Sequence, residues 1–321
     1  MLATPGTHVP PGDDWVHEVK WDGIRLLAHR TRDGRPRLWT RNENDATLAW
    51  PEIAGGGPSV STGRDLLVDG EAIALNDRGV PDLRVLGERM HVRDARRAAR
   101  FAEQRPATYM VFDVLRLDGR DLTGLPWTER RAVLEGLAES GEMGGWQVPA
   151  AYDDGGMLHE VTREQGLEGI VSKRRTSRYL PGVRTKEWLK FPHRFRGSYV
   201  VGGWRPQIGT TDRLAALLVG QPTPAGLVYR GRVGSGIGAR ESRQLRSLLT
   251  DAAASPFAGA DVDPAGGVPR EDVRGTFWVE PRVVVDVETH GRHVVGAAVL
   301  GRLRQPAFIA VRPDLGPEDL L

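Results

Sequence analysis

The chain has 321 residues, 40% apolar and 27% charged, with a formal net charge of +2. No apolar run approaches the ~20 residues of a membrane-crossing helix, and the absence of cysteine excludes disulfides and thiolate zinc sites. The length suits two domains with separate cores. Basic and acidic residues balance within one residue on each side of Arg196, so neither half is a basic block that binds nucleic acid by bulk charge.

Residues 1–14 are polar and rich in proline and glycine, and read as neither a signal nor a transit peptide. Apolar alternation then predicts strands over 15–20 and 24–30, joined by a Trp21-Asp22-Gly23 turn. An Asp33-Gly34 hairpin returns as a strand over 36–40. Another strand is expected over 66–75, and a helix over 83–104 with its arginines on the wet face. A strand over 108–117 closes at Asp118-Gly119. Thr128 is the expected N-cap of a helix reaching Ser140. A short helix over 156–165 precedes strands over 167–173 and 187–191. This half mixes antiparallel sheet with helices, an α+β pattern.

The run 192–197 (Pro-His-Arg-Phe-Arg-Gly) is the natural boundary, giving domains 1–194 and 195–321. Short strands follow over 198–204, 214–219, 226–233, 277–280 and 282–288, with one helix over 239–252 and a loop over 254–269. Four or five strands with one helix suggest a small closed barrel of the oligonucleotide-binding type. The glycine-rich run 231–238 lacks the Lys-Ser/Thr ending of a phosphate loop and reads as barrel turns. His290 and His293 read as a hairpin tip rather than a metal pair.

Arginine supplies 40 of the 44 basic residues; the lysines are Lys20, Lys173, Lys186 and Lys190. Arginine holds its proton at any workable pH, whereas a lysine whose proton affinity is lowered becomes a nucleophile. Lys20 stands at a strand end before a glycine turn, in Glu18-Val19-Lys20-Trp21-Asp22-Gly23-Ile24-Arg25. There its tip is open to a ligand, and Gly23 allows backbone to approach that ligand closely. Alternation puts Glu18 and Lys20 on one face. Lys-x-Asp-Gly alone is weak. Its partners follow in order: Val68-Asp69-Gly70-Glu71, Met110-Val111-Phe112-Asp113, Glu168-Gly169-Ile170-Val171-Ser172-Lys173, and Lys186-Glu187-Trp188-Leu189-Lys190.

On these five motifs the chain resembles the covalent nucleotidyltransferase superfamily of ATP-dependent DNA ligases and mRNA-capping enzymes. The likeness is nearest to bacterial ligases of the ligase C type and to the ligase module of bacterial end-joining proteins. Arg174–Gly182 and Val201-Gly202-Gly203-Trp204 have the look of that branch. The resemblance implies an adenylation domain of antiparallel sheets and helices followed by an OB-fold barrel. The implied activity is sealing of 5′-phosphate/3′-hydroxyl nicks in duplex DNA through lysyl-AMP, in repair. Lys20 would attack the α-phosphate of ATP. Glu18 would read the adenine amino group, Val19 would join the nucleotide site, and Phe112 would stack on the base. Arg25 and Arg41 would bind ribose or phosphate, and Glu71 the ribose hydroxyls, a metal, or both. Glu168 would hold Mg²⁺ (or Mn²⁺). Lys190 would contact the α-phosphate, with Lys186 assisting. Such a set suits phosphoryl transfer, which rests on in-line positioning and charge neutralisation.

A last motif, over 302–314, would supply Arg304 and Arg312 from the barrel, swinging over ATP about a hinge at 192–197. Two departures stand out: Phe191-Pro192 follows Lys190 where the family carries a second lysine, leaving His193 or Arg194 as substitutes, and Leu315 stands where a lysine is usual. Lys173 with Arg174-Arg175 reads either as a solvated face or as a DNA-phosphate contact. The resemblance further implies nicked duplex DNA as partner, possible end-joining or repair partners, no membrane, a cytoplasmic or nucleoid location and a monomer. Only 19 residues precede Lys20, so neither a nicotinamide-binding module nor a DNA-encircling helical domain is expected. The competing readings are an RNA ligase, a capping-type guanylyltransferase, and an inactive single-strand-binding relic. The last is disfavoured because the barrel offers few stacking aromatics beyond Trp204 and Tyr229.

Overall fold

A computed structural model describes residues 1–32, 36–56, 64–258, 267–290 and 301–321. The Asp33-Gly34 turn, His293 and residues 259–266 of the expected loop lie outside them. The chain divides into two compact units, Met1–His193 and Arg194–Leu321. The first holds two five-stranded sheets. One runs β4 (Arg37–Thr40), β3 (Ile24–Arg30), β5 (Leu66–Ile73), β6 (Thr108–Leu117), β7 (Arg120–Asp121). The other runs β1 (Leu2–Pro5), β10 (Arg184–Pro192), β9 (Gly169–Arg174), β2 (Trp15–Val19), β8 (Ala151–Tyr152). All pairings are antiparallel except β1, which lies parallel to β10. No strand was expected at residues 2–5; the segment owes its form to that neighbour rather than to its own composition.

Alternation fixes the faces. In β3, Ile24, Leu26 and Ala28 are buried among Val68, Val111 and Leu134, beneath α1 (Pro51–Gly56) and α4 (Trp127–Glu139). Arg25, Leu27 and His29 therefore face the other way. The ladder between β5 and β6 breaks between Asp69 and Gly70, pairing them with Asp113 and Val111 and leaving Phe112 unpaired. A bulge of this kind re-aims a side chain, and Phe112 packs with Met1, Leu115, Tyr179 and Trp188 on that second face.

The helix expected over 83–104 is broken. α2 (Leu83–Leu86) is capped by Asp82, and α3 (Ala95–Gln104) by Asp94, whose carboxylate accepts from the Arg97 amide at 2.7 Å. Arg89, between them, is fully buried. It ion-pairs with Glu52 at 2.6 Å and lies 4.3 Å over the Trp50 ring, so an arginine expected on the wet face is a core residue. α4 is capped by Pro126, not Thr128, whose amide instead donates to the Arg175 carbonyl at 3.2 Å. α5 (Gly155–Glu164) starts on an Asp154 cap.

In the second unit, β13 (Gly226–Val233), β12 (Leu214–Thr223), β11 (Arg194–Pro206), β15 (Val284–His290) and β16 (Ala307–Val311) form one sheet. β14 (Phe277–Trp278) also pairs with β11. A bridge from Ser235 to Ala307 joins the two edges and closes the barrel. α6 (Ala239–Leu248) seats Leu245 among Trp204, Val219 and Val287. α7 (Arg270–Val273) carries Asp272, which accepts from the Tyr229 hydroxyl at 2.8 Å. Trp204 is buried and stacked 4.8 Å from Phe277. Both aromatics considered for base stacking are thus committed to the interior.

Within the first unit Asp113 and Arg130 form a fully buried bidentate pair, at 2.7 and 2.9 Å. Removing one partner strands the other charge. Asp113→Ala is expected to lower stability by about 3 kcal/mol, read as a shifted urea midpoint; a loss below about 0.5 kcal/mol would show that the pair contributes nothing.

Candidate active site

Between the two sheets of the first unit lies a cavity of about 240 Å³. Its lining includes Glu18, Val19 and Lys20 from the end of β2, Arg25 from β3, Glu71 from β5 and Phe112 from β6. β9 and β10 contribute Lys173, Trp188 and Lys190. Arg41 stands at the rim, shared with a larger groove over the outer face of β3. Lys186 is exposed and does not line this cavity, although period-2 alternation puts it on the same side of β10 as Trp188 and Lys190. Eight of the expected nucleotide-site residues thus line one cavity; Glu168 joins them through Lys20.

Lys20 follows the last residue of β2, its amide held by the Gly169 carbonyl at 2.9 Å. Its ammonium donates to Glu168 Oε2 at 2.6 Å, and both side chains keep some access to solvent, 23% and 16%. Glu168 precedes β9, and its carbonyl accepts from the His193 amide at 2.8 Å. A side chain at Gly169 would put Cβ 2.2 Å from the Phe191 carbonyl, and the residue has φ +140°. Only glycine fits between Glu168 and the crossing strand. Gly23 has a similar explanation, which differs from the one the sequence suggested. A Cβ there would lie 2.2 Å from the Ala72 carbonyl, so the close approach is to β5 rather than to a ligand. Asp22 is buried and accepts from the Leu83 amide at 3.3 Å, at the start of α2.

Arg25 is locked from behind. Asp69, fully buried, accepts from its Nε at 3.0 Å and its Nη2 at 2.6 Å, and from the Tyr179 hydroxyl at 2.7 Å. The guanidinium lies 5.5 Å from the centre of the Phe112 ring. Asp69 and Tyr179 escaped sequence reasoning as site residues. The signal available was an aspartate two residues before Glu71, hence on the same face of the strand. Glu71 itself is paired in register with Arg25. Protein atoms crowd its carboxyl group, and this desolvation pushes its pKa up to about 8 despite the pull of Lys20 and Arg25.

Lys173 overturns both of its sequence readings. It is neither on a solvated face nor available to DNA. Its ammonium, 2% exposed, donates to Glu18 Oε2 at 2.7 Å. It lies 4.7 Å from the Phe112 centroid and 4.3 Å from that of Trp188. Arg174 and Arg175 do reach the surface, where Arg174 covers the Trp15 ring and Arg175 pairs with Asp153. The other oxygen of Glu18, Oε1, is buried without a hydrogen-bond partner.

Both candidate substitutes for the missing second lysine have other partners. His193 is buried, bonded through Nε2 to Thr162 Oγ1 at 2.9 Å, and its ring lies 4.4 Å from His159. Burial and the nearby His159 and Arg163 lower its pKa to about 4, so it is neutral near pH 7. Arg194 begins β11 and pairs with Glu288 at 2.5 Å. In the second unit Arg312 is held by Asp314 at 2.7 Å and Asp286 at 3.3 Å. The Arg304 carbonyl accepts from the His290 amide at 3.1 Å.

No cluster of three or more carboxylates and histidines able to hold a metal occurs among the described residues. The cavity offers the hard oxygens of Glu71, and those of Glu168 beside Lys20. Such a sparse set fits Mg²⁺, which ordinarily takes one or two carboxylates and completes its shell with phosphate and water oxygens.

Comparison with known proteins covers the whole chain. The family described as "ATP dependent DNA ligase domain" matches residues 1–191, and "ATP dependent DNA ligase C terminal region" matches 210–315. The multifunctional non-homologous end joining DNA repair protein LigD of Mycobacterium tuberculosis is 35% identical over all of this chain. The chain spans 39% of that protein's length. DNA ligase C of the same organism is 32% identical, over 78% of this chain and 69% of its own. The structure of mycobacterial DNA ligase D complexed with ATP and MES superposes with a TM-score of 0.54 at 33% identity, covering 100% of this chain and 96% of that one.

The position of Glu71 generates a pH dependence. A carboxyl whose folded pKa is raised above 4.5 to about 8 contributes stability at low pH that is lost as pH rises through 8. Glu71→Gln removes this loss. The variant is expected to be more stable than wild type at pH 9 by about 2 kcal/mol and to converge with it near pH 4, measured by denaturant unfolding across pH. Parallel curves for the two proteins would show that Glu71 is not desolvated in solution.

Proposed function

The chain belongs to the ATP-dependent DNA ligase family, and from that premise we propose that it seals nicks in duplex DNA through AMP carried on Lys20. The observation that carries this reading is the Lys20–Glu168 contact of 2.6 Å at the edge of a cavity lined by Phe112, Trp188 and Lys190. Lys20 is a cavity-lining amine with a carboxylate beside it, Glu168, that can take up its proton. A neutral amine then attacks the α-phosphorus. A nitrogen–phosphorus bond forms while the bond to the bridging oxygen breaks, and pyrophosphate departs with the electron pair. Charge on the phosphate falls to the cations of this site, Lys190, Arg25 and Arg41. Phe112 and Trp188 offer apolar walls to the base. The partnerless Glu18 Oε1 offers an acceptor to an exocyclic amine, which suits adenine.

The residues that would hold Mg²⁺ are Glu71 and Glu168, and a divalent cation bound there would supply charge neutralisation at the phosphate. Binding a cation at Glu71 requires that carboxyl to release its proton, since it sits with a pKa of about 8. AMP on Lys20 would pass to the 5′-phosphate of a nick, and the 3′-hydroxyl would then displace it. We assign Lys186 to the surface rather than to the α-phosphate, given its exposure. Arg304 and Arg312 remain the residues we assign to orienting pyrophosphate. The end-joining name borne by a relative at 35% identity supports a role in DNA break repair, at the nucleoid of a bacterial cell.

Incubation with α-phosphate-labelled ATP and Mg²⁺, followed by denaturing electrophoresis, tests the proposal. Wild type is expected to retain label, and Lys20→Arg to retain none. Glu168→Gln is expected to slow labelling by about 100-fold or more, the scale of a lost proton acceptor. Label persisting in Lys20→Arg rejects Lys20 as the nucleophile.

A further inference from the structure

The chemistry proposed above gives Lys173 no task, yet the fold goes to some length to enclose it. Its ammonium contacts Glu18 Oε2 at 2.7 Å, the Phe112 carbonyl at 3.4 Å and the faces of Phe112 and Trp188. The two charged side chains are only 2% and 4% exposed. A buried ion pair of this kind is a poor stabiliser, because packed apolar side chains of similar volume hold a fold together equally well. Its presence against the cavity wall calls for a different account.

That account lies in what the pair does to Glu18. Lys173 engages one oxygen and leaves the other, Oε1, buried and without a donor, on a residue that lines the cavity beside Phe112 and Trp188. An ionised carboxylate only accepts hydrogen bonds; a protonated one also donates. A 6-amino purine presents N–H to such an acceptor. A 6-oxo purine presents a carbonyl oxygen, which an ionised carboxylate repels and a carboxylic acid binds. Without its ammonium neighbour, a carboxylate enclosed in this way would be a buried charge with no partner.

We propose that Lys173 is a positioning and specificity-determining residue that holds Glu18 as an ionised acceptor and so selects 6-amino over 6-oxo purine nucleotides. This rests on the reading that the cavity takes the base of the nucleotide that labels Lys20. Lys173 touches no reacting atom; it acts through Glu18. The aromatic faces on either side of the ammonium keep its charge directed at that one carboxylate.

The test follows covalent labelling of the chain with three α-phosphate-labelled nucleotides: ATP, inosine triphosphate, and purine riboside triphosphate, which lacks any group at position 6. Wild type is expected to prefer ATP over purine riboside triphosphate by roughly 10- to 100-fold in half-saturating concentration, the scale of a hydrogen bond to a charged group. Lys173→Met is expected to weaken ATP by about 10-fold or more and purine riboside triphosphate by less than about 3-fold. The preference for ATP over inosine triphosphate then collapses. Lys173→Arg keeps a cation beside Glu18 and is expected to keep that preference. A merely structural lysine would give a different pattern, in which Lys173→Met weakens all three nucleotides equally, and that result overturns the proposal. Should Lys173→Met fail to fold, Glu18→Gln and Lys173→Arg decide: an unchanged ATP preference in Glu18→Gln, or a lost one in a folded Lys173→Arg, also overturns it. A wild-type chain that takes no label refutes the ligase chemistry instead, so the two failures are distinguishable.

Discussion

An ammonium ion cannot attack phosphorus, and an amine in water at neutral pH is almost always an ammonium ion. Much of the first unit can be read as an answer to that constraint. Lys20 stops at the end of a strand, where its reach is fixed. It meets Glu168, whose backbone is tied on both sides: the following glycine admits a crossing strand, and its own carbonyl takes the His193 amide. In the proposed chemistry the 2.6 Å contact between the two side chains would serve both as a resting state and as a route for the proton. It couples the end of β2 to the start of β9, and so relates the proposed nucleophile and its proton acceptor through neighbouring strands of one sheet rather than through a loop.

Around that contact the cavity separates its tasks by depth. Lys173 and Glu18 are buried and pair with each other, as Asp69 and Tyr179 do, while Glu18 keeps one oxygen without a partner. Arg25 bridges the levels, with its back to Asp69 and its face to Phe112. Lys20, Lys190 and Arg41 keep the accessible positions. The rigid polar layer beneath costs free energy to bury, and what it supplies is preorganisation: charges that need not reorganise when a phosphate arrives.

Much of this was legible in the residues before any coordinates, and the exceptions have physical causes. The strands Ile24–Arg30, Thr108–Leu117 and Gly226–Val233 were readable because one face of each is apolar. The segment over 83–104 misled because Arg89 counts as polar in any pattern, whereas here Glu52 and Trp50 give it a buried partner and a buried face. The β1 strand was invisible because its structure comes from β10, far away in sequence. The gathering of Lys20, Glu71, Phe112 and Lys190 at one cavity was anticipated through the family resemblance that their motifs carry. The enclosure of Lys173 was not, since a lysine is almost never fully buried unless paired, and its partner sits 155 positions away. Nor could spacing reveal that His193 is neutral, because its environment is made by α5.

The scarcity of lysine has a practical side. With arginine carrying nearly all the positive charge, the molecule offers four side-chain amines, of which one is sealed behind aromatic rings and another is clasped by a carboxylate. An acylating or reductively alkylating reagent therefore meets a surface nearly empty of competing targets. Differences in its uptake with and without nucleotide would report on occupancy of the cavity itself, making the composition of this chain an intrinsic footprinting probe.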